Sequence, residues 1–546
     1  MAQTTPPNPM HVVNFSLLPR LTSSHPNFLT PCEGLVAPTN YACYGVKYVQ
    51  QHLLEPIGEP VYPYFKPIYD VLDEKGGAIG LKSDQTIFVL MMVFTYVFSF
   101  VYRMLFNHRA MKEATFLKTL YLVAVGLFYA IFTFGYEGFH AIACCFISYL
   151  CMMVLPKSIS SKVVFVFVWT YLSLAHFVRM QLDFTSQRVD YSAMLMMMVL
   201  RISSCSFNFT DGQNPNAKEE LDESLVESSI SKIPSFLEYI AFCFYFPALL
   251  AGPPFDFKYF QQYLRHYDMD TIPFYGRGLI YNTVMIFISF AGFTQIDRFD
   301  REFIMNNREA FSSMPLLNKI VFILLMVEFF KFRYFMVWHI CQGSGWLAGF
   351  GYDPKKKDWS AVTQIDFWAF ELATSPYLLS IHWNIGVHKW VKKYVYLRNQ
   401  KKGSRPGTKE VFQTFLVIAF WHGFYPGYYI FFVLAGVGVE FGRIFRLMFR
   451  KRFIPDDYTF DVYKPIQSLK KINLTIALYN IAAYVATQAG TNYIAASFVL
   501  LSIDHSVFIW KETYGGPIFV GIVLYFILKM FYGNVTSSSE KAKKQQ

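Results

Sequence analysis

The sequence predicts an all-α, polytopic membrane protein, with about ten to twelve transmembrane or re-entrant helices around a central cavity. Only 16% of the 546 residues are charged and 54% are hydrophobic, whereas soluble proteins carry about 25% charged residues. Apolar runs close to the roughly 17–25 residues that span a bilayer recur along the chain. Several of these runs contain glycine or proline, which favours broken or tilted segments.

Clear apolar runs cover residues 84–105, 117–136, 140–155, 163–180, 279–293, 320–338, 474–501 and 518–531. Shorter or interrupted runs cover residues 193–206, 236–251, 367–381 and 411–440. We assign residues 83–532 to one membrane domain. Residues 1–82 are predicted as an N-terminal loop or interfacial segment without a cleavable signal peptide, because no continuous apolar run occurs near Met1. The prolines of Tyr62-Pro-Tyr-Phe-Lys-Pro67 argue against a central helix there.

Basic residues cluster at 392–409, at 443–452 and in the tail, residues 533–546, which we predict to be a disordered cytosolic segment. The net charge is +11, but the clusters flank membrane segments, so the positive-inside rule places them in the cytosol. This distribution disfavours nucleic-acid binding, which needs one basic face. The polar, acidic segment 211–232 is predicted to be a solvent loop. Among eight cysteines no CxxC pair occurs, so we predict neither a disulfide framework nor a metal site.

His422 lies in the apolar stretch 411–432, close to three helix-breaking residues, Gly423, Pro426 and Gly427. An ionisable side chain at bilayer depth is rare and marks a functional site by default. Irregular backbone at that depth requires surrounding protein or a water-filled cavity. The alternative is a histidine that only forms a hydrogen bond within a helix bundle.

Basic clusters on both sides of this stretch would place both of its ends in the cytosol. About thirty residues at 1.5 Å each give about 45 Å, too little for two spans of a roughly 30 Å core. The stretch is therefore either one long tilted span that violates the charge rule, or a hairpin broken at Gly423–Gly427 with His422 near its tip.

Asn384 lies in a segment, 381–398, that periodicity predicts to be an amphipathic interfacial helix. Trp383 and Trp390 are seven residues apart and so on one face, with lysines on another. His388 would share the face of Asn384. On periodicity alone Asn384 is an ordinary polar contact.

Two separated motifs, Trp383-Asn384 with Trp390, and Trp421-His422-Gly423 with Pro426-Gly-Tyr-Tyr429, resemble the membrane-bound O-acyltransferase family, and most closely its lysophospholipid acyltransferase branch. His422 follows Asn384 by 38 residues, similar to the spacing in that branch. Other segments resemble these enzymes in the same order, namely 183–187, 233–239, 250–253, 331–338, 349–351 and 498–503. The resemblance covers about residues 83–532.

The resemblance implies an endoplasmic-reticulum membrane enzyme that transfers an acyl chain from acyl-CoA to the free hydroxyl of a lysophospholipid. His422 would act as the general base and Asn384 would position the hydroxyl or bind the thioester carbonyl. Neither motif offers a nucleophilic Cys or Ser beside His422, which favours direct transfer. Acyl-CoA is then a co-substrate, and no cofactor is predicted. The sequence leaves the headgroup, the hydroxyl position and the oligomeric state open.

Six further residues are candidates for substrate binding, and each of them also fits a purely structural role. Trp383, Trp421, Tyr428 and Tyr429 are candidates for an acyl tunnel, although each alone fits ordinary packing. The other two candidates are Glu371, as a partner of Asn384 or His422 or as a snorkelling acid, and His388. The basic cluster 392–409 either sets topology only or also attracts the phosphates of CoA.

Two alternative functions remain open from the sequence. Gly386-Val-His-Lys-Trp390 resembles a helix of acyltransferases that act on diacylglycerol or sterols, but the Phe-Tyr-x-Asp-Trp-Trp-Asn signature that precedes it there is absent. An acyltransferase that acts on such a neutral lipid or on a protein is therefore one alternative. A channel or secondary transporter, with its ion site at the break 423–427, is another. The lack of an internal repeat argues against the transporter.

Overall fold

The computed structural model describes residues 62–77, 83–107, 114–182, 189–266, 272–400, 402, 408–455, 458, 460, 462–463, 467–468, 470, 472–515, 518–519 and 521–531. The predictions for residues 1–61, 183–187 and 533–546 lie outside these ranges. Within them the regular structure is helical, and the bridge between Asp353 and Asp358 is isolated. This confirms the predicted all-α class for the described part of the chain.

The first half of the chain forms helices α1 Tyr62–Gly77, α2 Ser83–Phe106, α3 Thr115–Phe134, α4 Gly138–Val154, α5 Lys157–Leu182, α6 Ser192–Asp211, α7 Phe236–Cys243, α8 Phe257–His266 and α9 Gly276–Phe293. Shorter helical turns cover Gly135–Glu137, Ala217–Glu220, Glu223–Ser228 and Phe246–Ala248. The predicted solvent loop 211–232 therefore contains two short helices.

The second half forms α10 Leu316–Leu347, α11 Pro376–His382, α12 Ile385–Val391, α13 Thr408–His422, α14 Pro426–Phe445, α15 Leu474–Leu500 and α16 Ile503–Glu512. Shorter helical segments cover Ile296–Phe299, Arg301–Asn306, Arg308–Ser313, Phe367–Glu371, Lys392–Leu397, Arg446–Arg450 and Lys451–Phe453. A further apolar helix covers Gly521–Phe531.

Within the described part of the chain, five segments are long and apolar enough to cross a membrane: Asp84–Phe106, Thr115–Val154, Lys157–Met180, Ser192–Asp211 and Gly276–Phe293. Their outward faces carry large apolar side chains such as Phe100, Val166 and Phe287, each more than half exposed. Such surfaces suit lipid rather than water. The molecule is therefore a helical membrane protein, and the count of ten to twelve segments stays a prediction.

Helix α1 begins at Tyr62, within the predicted N-terminal loop or interfacial segment, and its two prolines lie in its first two turns. Pro63 falls in the first turn, where a helix has no use for the amide hydrogen that proline lacks. Pro67 lies inside the helix, and only one intrahelical hydrogen bond is lost there.

The stretch around His422 is a hairpin, as one of the two predicted alternatives required. Helix α13 ends at His422, and α14 begins at Pro426. The two arms run back along each other, since a side chain at Gly436 would contact the rings of Phe412 and Phe415. His422 thus lies at the tip, with both basic flanks at the opposite end.

The continuous amphipathic helix predicted around Asn384 was wrong. Helix α11 ends at His382, Trp383 is extended, and Asn384 adopts a left-handed conformation with φ 45° before α12 begins. Asparagine tolerates this conformation better than most residues. Periodicity did not reveal the break, because Trp383 and Trp390 keep helical spacing across it.

Contacts between helix ends distinguish two ends of the helix bundle, which we call the basic end and the turn end. The basic end holds the paired Asp211 and Arg398, together with the outer ends of α13 and α14. The turn end holds the tip of the hairpin, which packs on the last residues of α15 through a hydrogen bond from the Gly427 amide to the Leu501 carbonyl. Arg301 lies at this end too, since it donates to the carbonyl of Val499.

Candidate active site

A cavity of about 2040 Å³ runs through the bundle and is lined by both His422 and Asn384. Its wall also includes Lys392 and Arg446 from the two basic clusters and Arg301 from the turn end. Ordinary small-molecule pockets measure about 300–1,000 Å³, so this cavity has room for more than one large ligand. Most of the lining is apolar, which suits hydrocarbon chains.

The His422 imidazole is surrounded by aromatic rings. Phe432 is nearly parallel to it at 5.3 Å between centroids, and Phe498 meets it edge-on at 5.1 Å. Tyr428 lies 5.6 Å away. Among the residues that the structure describes, none forms a hydrogen bond with the imidazole, and the side chain is only partly buried. Its nitrogens are therefore available to a ligand in the cavity.

His176 on α5 fixes the backbone next to His422. Its Nε2 lies 3.0 Å from the carbonyl oxygen of Trp421, which can only accept a hydrogen bond. Gly423 has φ 116°, and a Cβ there would lie 3.1 Å from the His176 ring. Only glycine combines that backbone conformation with that close approach. Sequence reasoning did not single out His176, although it is also a histidine in an apolar run.

Asn384 stands at the N-cap position of α12, yet its side chain makes no capping hydrogen bond. Asparagine is among the preferred capping residues. Because this side chain does not cap the helix, its amide is available for other hydrogen bonds. Its Oδ1 accepts a hydrogen bond from Gln364 Nε2 at 2.8 Å.

Gln364 is fully buried and determines which way the Asn384 amide faces. Its Nε2 donates both to Asn384 and, at 3.0 Å, to the carbonyl oxygen of Ala251. A backbone carbonyl only accepts, so the Gln364 atom there must be the amide nitrogen. The atom of Asn384 that faces it must then be the acceptor, Oδ1. This leaves Asn384 Nδ2 as a donor toward the cavity.

The backbone around Gln364 is held as well. Its amide donates to Gln342 Oε1 at 3.0 Å, and its carbonyl accepts from the Ile385 amide at 2.8 Å. Gln342 in turn donates to Asn282, which also contacts His339. This buried polar network connects α9 and α10 to Asn384. Sequence reasoning missed Gln364, because a lone glutamine in an irregular segment gives no pattern.

We expect Gln364→Glu to reduce turnover strongly. A carboxylate attracts the Asn384 Nδ2 group, so the amide turns and its donor no longer faces the cavity. The loss should approach the 10²–10³-fold effect of removing one oxyanion donor. Steady-state turnover should fall more than the affinity for substrates. If the glutamine acts through Asn384, Gln364→Glu should add nothing in an Asn384→Ala background, as a double-mutant cycle can measure.

Gln488→Glu is the matched control. Gln488 Nε2 also donates to two backbone carbonyls, those of Phe370 and Glu371, but the residue does not line the cavity. We expect lower thermal stability from this variant and nearly normal turnover. Equal loss of turnover in both glutamine variants would show a general structural effect.

Six of the eight predicted site residues line the cavity, namely His422, Asn384, Trp383, His388, Trp421 and Tyr428. Trp383 packs among aromatic rings, with Trp338 at 4.7 Å and Phe370 at 4.9 Å between centroids. Trp421 donates from its indole to the Met196 carbonyl at 2.9 Å. Tyr429 is absent from the lining. Roles for these residues in substrate binding stay predictions.

Glu371 is also absent from the lining and pairs with Lys331 at 3.1 Å. Lys331 pairs with Glu328 as well, at 2.8 Å, and Asn492 donates to that carboxylate. The ion-pair partner of Glu371 is thus Lys331, and no described contact joins Glu371 to Asn384 or His422. Glu371 therefore helps join α10 to the segment before Asn384.

Part of the basic cluster 392–409 is used within the fold. Lys393 pairs with Asp256 at 2.6 Å, and Arg398 pairs with Asp211. By contrast, Lys392 and Arg446 line the cavity and are exposed. Lys401 and Arg405 lie outside the described residues.

Comparison with known proteins gives one family model that matches, the membrane-bound O-acyltransferase family (MBOAT), over residues 128–469. The chain is similar to a protein of Schizosaccharomyces pombe named lysophospholipid acyltransferase, with 26% identity over 80% of this chain and 84% of the relative. A Saccharomyces cerevisiae protein of the same name is 26% identical over 76% of this chain and 70% of the relative. A human protein named membrane-bound glycerophospholipid O-acyltransferase 2 is 24% identical over 84% of this chain and 87% of the relative.

Proposed function

Since the chain belongs to the membrane-bound O-acyltransferase family, we propose that it transfers the acyl chain of acyl-CoA to the free hydroxyl of a lysophospholipid. The observation that carries the proposal is the joint placement of His422 and Asn384 on one cavity with apolar walls. The names of the yeast and human relatives support a lysophospholipid as the acceptor.

His422 would act as the general base in a direct transfer. Its imidazole takes the proton of the acceptor hydroxyl, and the hydroxyl oxygen attacks the thioester carbonyl. The Asn384 Nδ2 group donates to the oxyanion that forms. When the C–S bond breaks, the protonated imidazole returns the proton to the sulfur, so the products are a phospholipid and free CoA. Both groups line the same cavity, and the reaction requires that they reach one substrate at the same time.

The basic end of the cavity suits the nucleotide of CoA. Lys392 and Arg446 are exposed cations on its rim, and several neighbouring basic residues already pair with carboxylates. Acyl-CoA is made in the cytosol and its phosphates do not cross a bilayer. The positive-inside rule places the basic end on the cytosolic side. We therefore propose that acyl-CoA enters here.

Removal of these two cations tests that entry. The double variant Lys392→Met with Arg446→Met should raise the KM for acyl-CoA about three- to twenty-fold, as expected for two partly exposed ion pairs. The effect should shrink in high salt, because salt screens exposed charges. An acyl thioester without the nucleotide should show no change, and turnover at saturation should be near normal.

Lys355→Met is the control for a general change in surface charge. Lys355 is 87% exposed and does not line the cavity. A rise in KM for the nucleotide-free thioester, or an equal rise from Lys355→Met, would exclude a specific phosphate contact.

The decisive experiment on the function uses purified protein, labelled oleoyl-CoA and a panel of acceptors. The panel contains lysophospholipids with different headgroups, diacylglycerol and a sterol. We expect a labelled phospholipid and stoichiometric release of CoA, and no product with His422→Ala. Product from diacylglycerol or sterol alone would replace this proposal by the neutral-lipid alternative. Solute transport without consumption of acyl-CoA would support the transporter.

The membrane arrangement follows from the same proposal. We propose ten to twelve transmembrane or re-entrant segments in the endoplasmic reticulum membrane, with the basic tail in the cytosol. Support for a number above five comes from α10, α14 and α15, which have 32, 20 and 27 residues. These helices also line the cavity.

A further inference from the structure

Arg333 is an arginine within a long apolar helix, α10, and it lines the cavity. No carboxylate among the described residues forms an ion pair with it, and its buried Nε has no hydrogen-bond partner there. One Nη group reaches the Tyr334 hydroxyl at 3.5 Å, which is a weak contact. An unpaired cation in such a place is costly and indicates an anionic ligand.

The guanidinium of Arg333 stacks on two aromatic rings, which fixes its orientation. It lies 3.5 Å from the centroid of the Phe330 ring and 5.1 Å from that of Tyr334. Stacking fixes the plane of the group, and because Nε is buried, the edge formed by the two Nη groups is the one left for a ligand. Such an edge binds a phosphate through two parallel hydrogen bonds.

Arg333 also lies close to the proposed catalytic groups. The Tyr334 ring contacts Trp383, the residue before Asn384, at 5.9 Å between centroids. Arg333, Asn384 and His422 all line the same cavity. A group bound by Arg333 therefore shares that space with both motifs.

Arg301 approaches the same space from the other side. It lines the cavity and donates to the carbonyl of Val499, next to Phe498, which contacts His422 edge-on. Two carboxylates, Asp297 and Asp300, line the same wall. Among the described residues, the cation of this wall that has no carboxylate partner is therefore Arg333, and Arg301 adds positive charge beside its own acidic neighbours. Asp300 on the same wall caps the helix Arg301–Asn306 by accepting from the Glu302 amide.

Arg333 is level with one end of the membrane-length helix α9. A side chain at Gly292, the residue before the end of that helix, would collide with the Phe332 ring. This level belongs to the turn end, opposite to Lys392 and Arg446.

We propose that Arg333, with Arg301 beside it, binds the phosphate of the acceptor lysophospholipid. This inference rests on the proposed function and names the group that recognises its substrate. The phosphate of a lysophospholipid is attached one or two carbons from the hydroxyl that is acylated. An anchor on the cavity that His422 lines thus directs that hydroxyl toward the base. Neutral lipids lack the phosphate, so the same contact selects against them.

Binding and turnover with Arg333→Met test the anchor. Purified full-length protein should bind lysophosphatidylcholine about ten- to a hundred-fold more weakly than wild type, the range for lost hydrogen bonds to a charged group. Binding of 1-monoacylglycerol with the same chain should not change. In turnover, the KM for lysophosphatidylcholine should rise while the KM for acyl-CoA stays constant. Arg333→Lys keeps the charge but loses the two parallel hydrogen bonds. Its affinity for lysophosphatidylcholine should therefore lie between those of the wild type and Arg333→Met.

Arg308→Met is the matched control, because Arg308 lies at the same end, pairs with Asp504 and does not line the cavity. Unchanged lysolipid binding in Arg333→Met would overturn the proposal. So would an equal loss of monoacylglycerol binding, or a rise in KM for acyl-CoA instead. Wild-type protein that binds the lysolipid through Arg333 but does not acylate it would refute the proposed function and leave the anchor standing.

Discussion

Replacement of His422 by alanine is expected to lower turnover by about 10²–10⁴-fold, the usual contribution of a general base. The imidazole lies on the cavity at the tip of the hairpin, and within the described residues its nitrogens have no hydrogen-bond partner and its ring contacts are aromatic. Those rings remain when the imidazole is removed, so the variant should still insert and bind acyl-CoA. The measurements are single-turnover rate, acyl-CoA affinity and thermal stability of the purified variant.

His176→Gln separates the loss of a base from damage to the motif. Glutamine can still donate to the Trp421 carbonyl, and His176 does not line the cavity. We expect a much smaller loss of turnover than in His422→Ala. Near-wild-type turnover in His422→Ala would remove His422 from the mechanism.

The hairpin was predictable because two simple constraints coincide. Basic residues flank the stretch on both sides, and Gly423, Pro426 and Gly427 interrupt it near the middle. The structure confirms the break directly after His422. A side chain at Gly427 would lie 2.9 Å from the Leu501 Cα, so the turn depends on packing against α15. That tertiary requirement is not visible in the sequence around the turn.

The second half of the site was less predictable. The left-handed backbone of Asn384 depends on tertiary contacts, and helical spacing of the tryptophans masked it. Gln364 lies 20 residues before Asn384 in an irregular segment, where no periodicity applies. Arg333 and His176 could have been found, since the rarity of ionisable residues in apolar segments applies to them as it does to His422. That rule flags positions but does not say which ones face a common cavity.

The structure sharpens what a change at Asn384 should do. Gln364 occupies Oδ1, so the free part of the amide is the donor Nδ2, which fits an oxyanion or the oxygen of the hydroxyl. The residue also has φ 45°, a conformation that strains alanine. Asn384→Ala therefore mixes two effects, a lost donor and a strained backbone. A useful series must vary them separately.

We expect Asn384→Asp and Asn384→Gly to lower turnover by about 10²–10³-fold, the effect of losing one oxyanion donor. Aspartate keeps the shape, tolerates the left-handed backbone and still accepts from Gln364, but it has no donor and adds a negative charge where negative charge develops. Glycine removes the amide and relieves the strain. Both variants should bind acyl-CoA and unfold near the wild-type temperature, whereas Asn384→Ala should be less stable. If the glycine variant retains full turnover, Asn384 serves only to join α11 to α12 and the donor belongs to another residue.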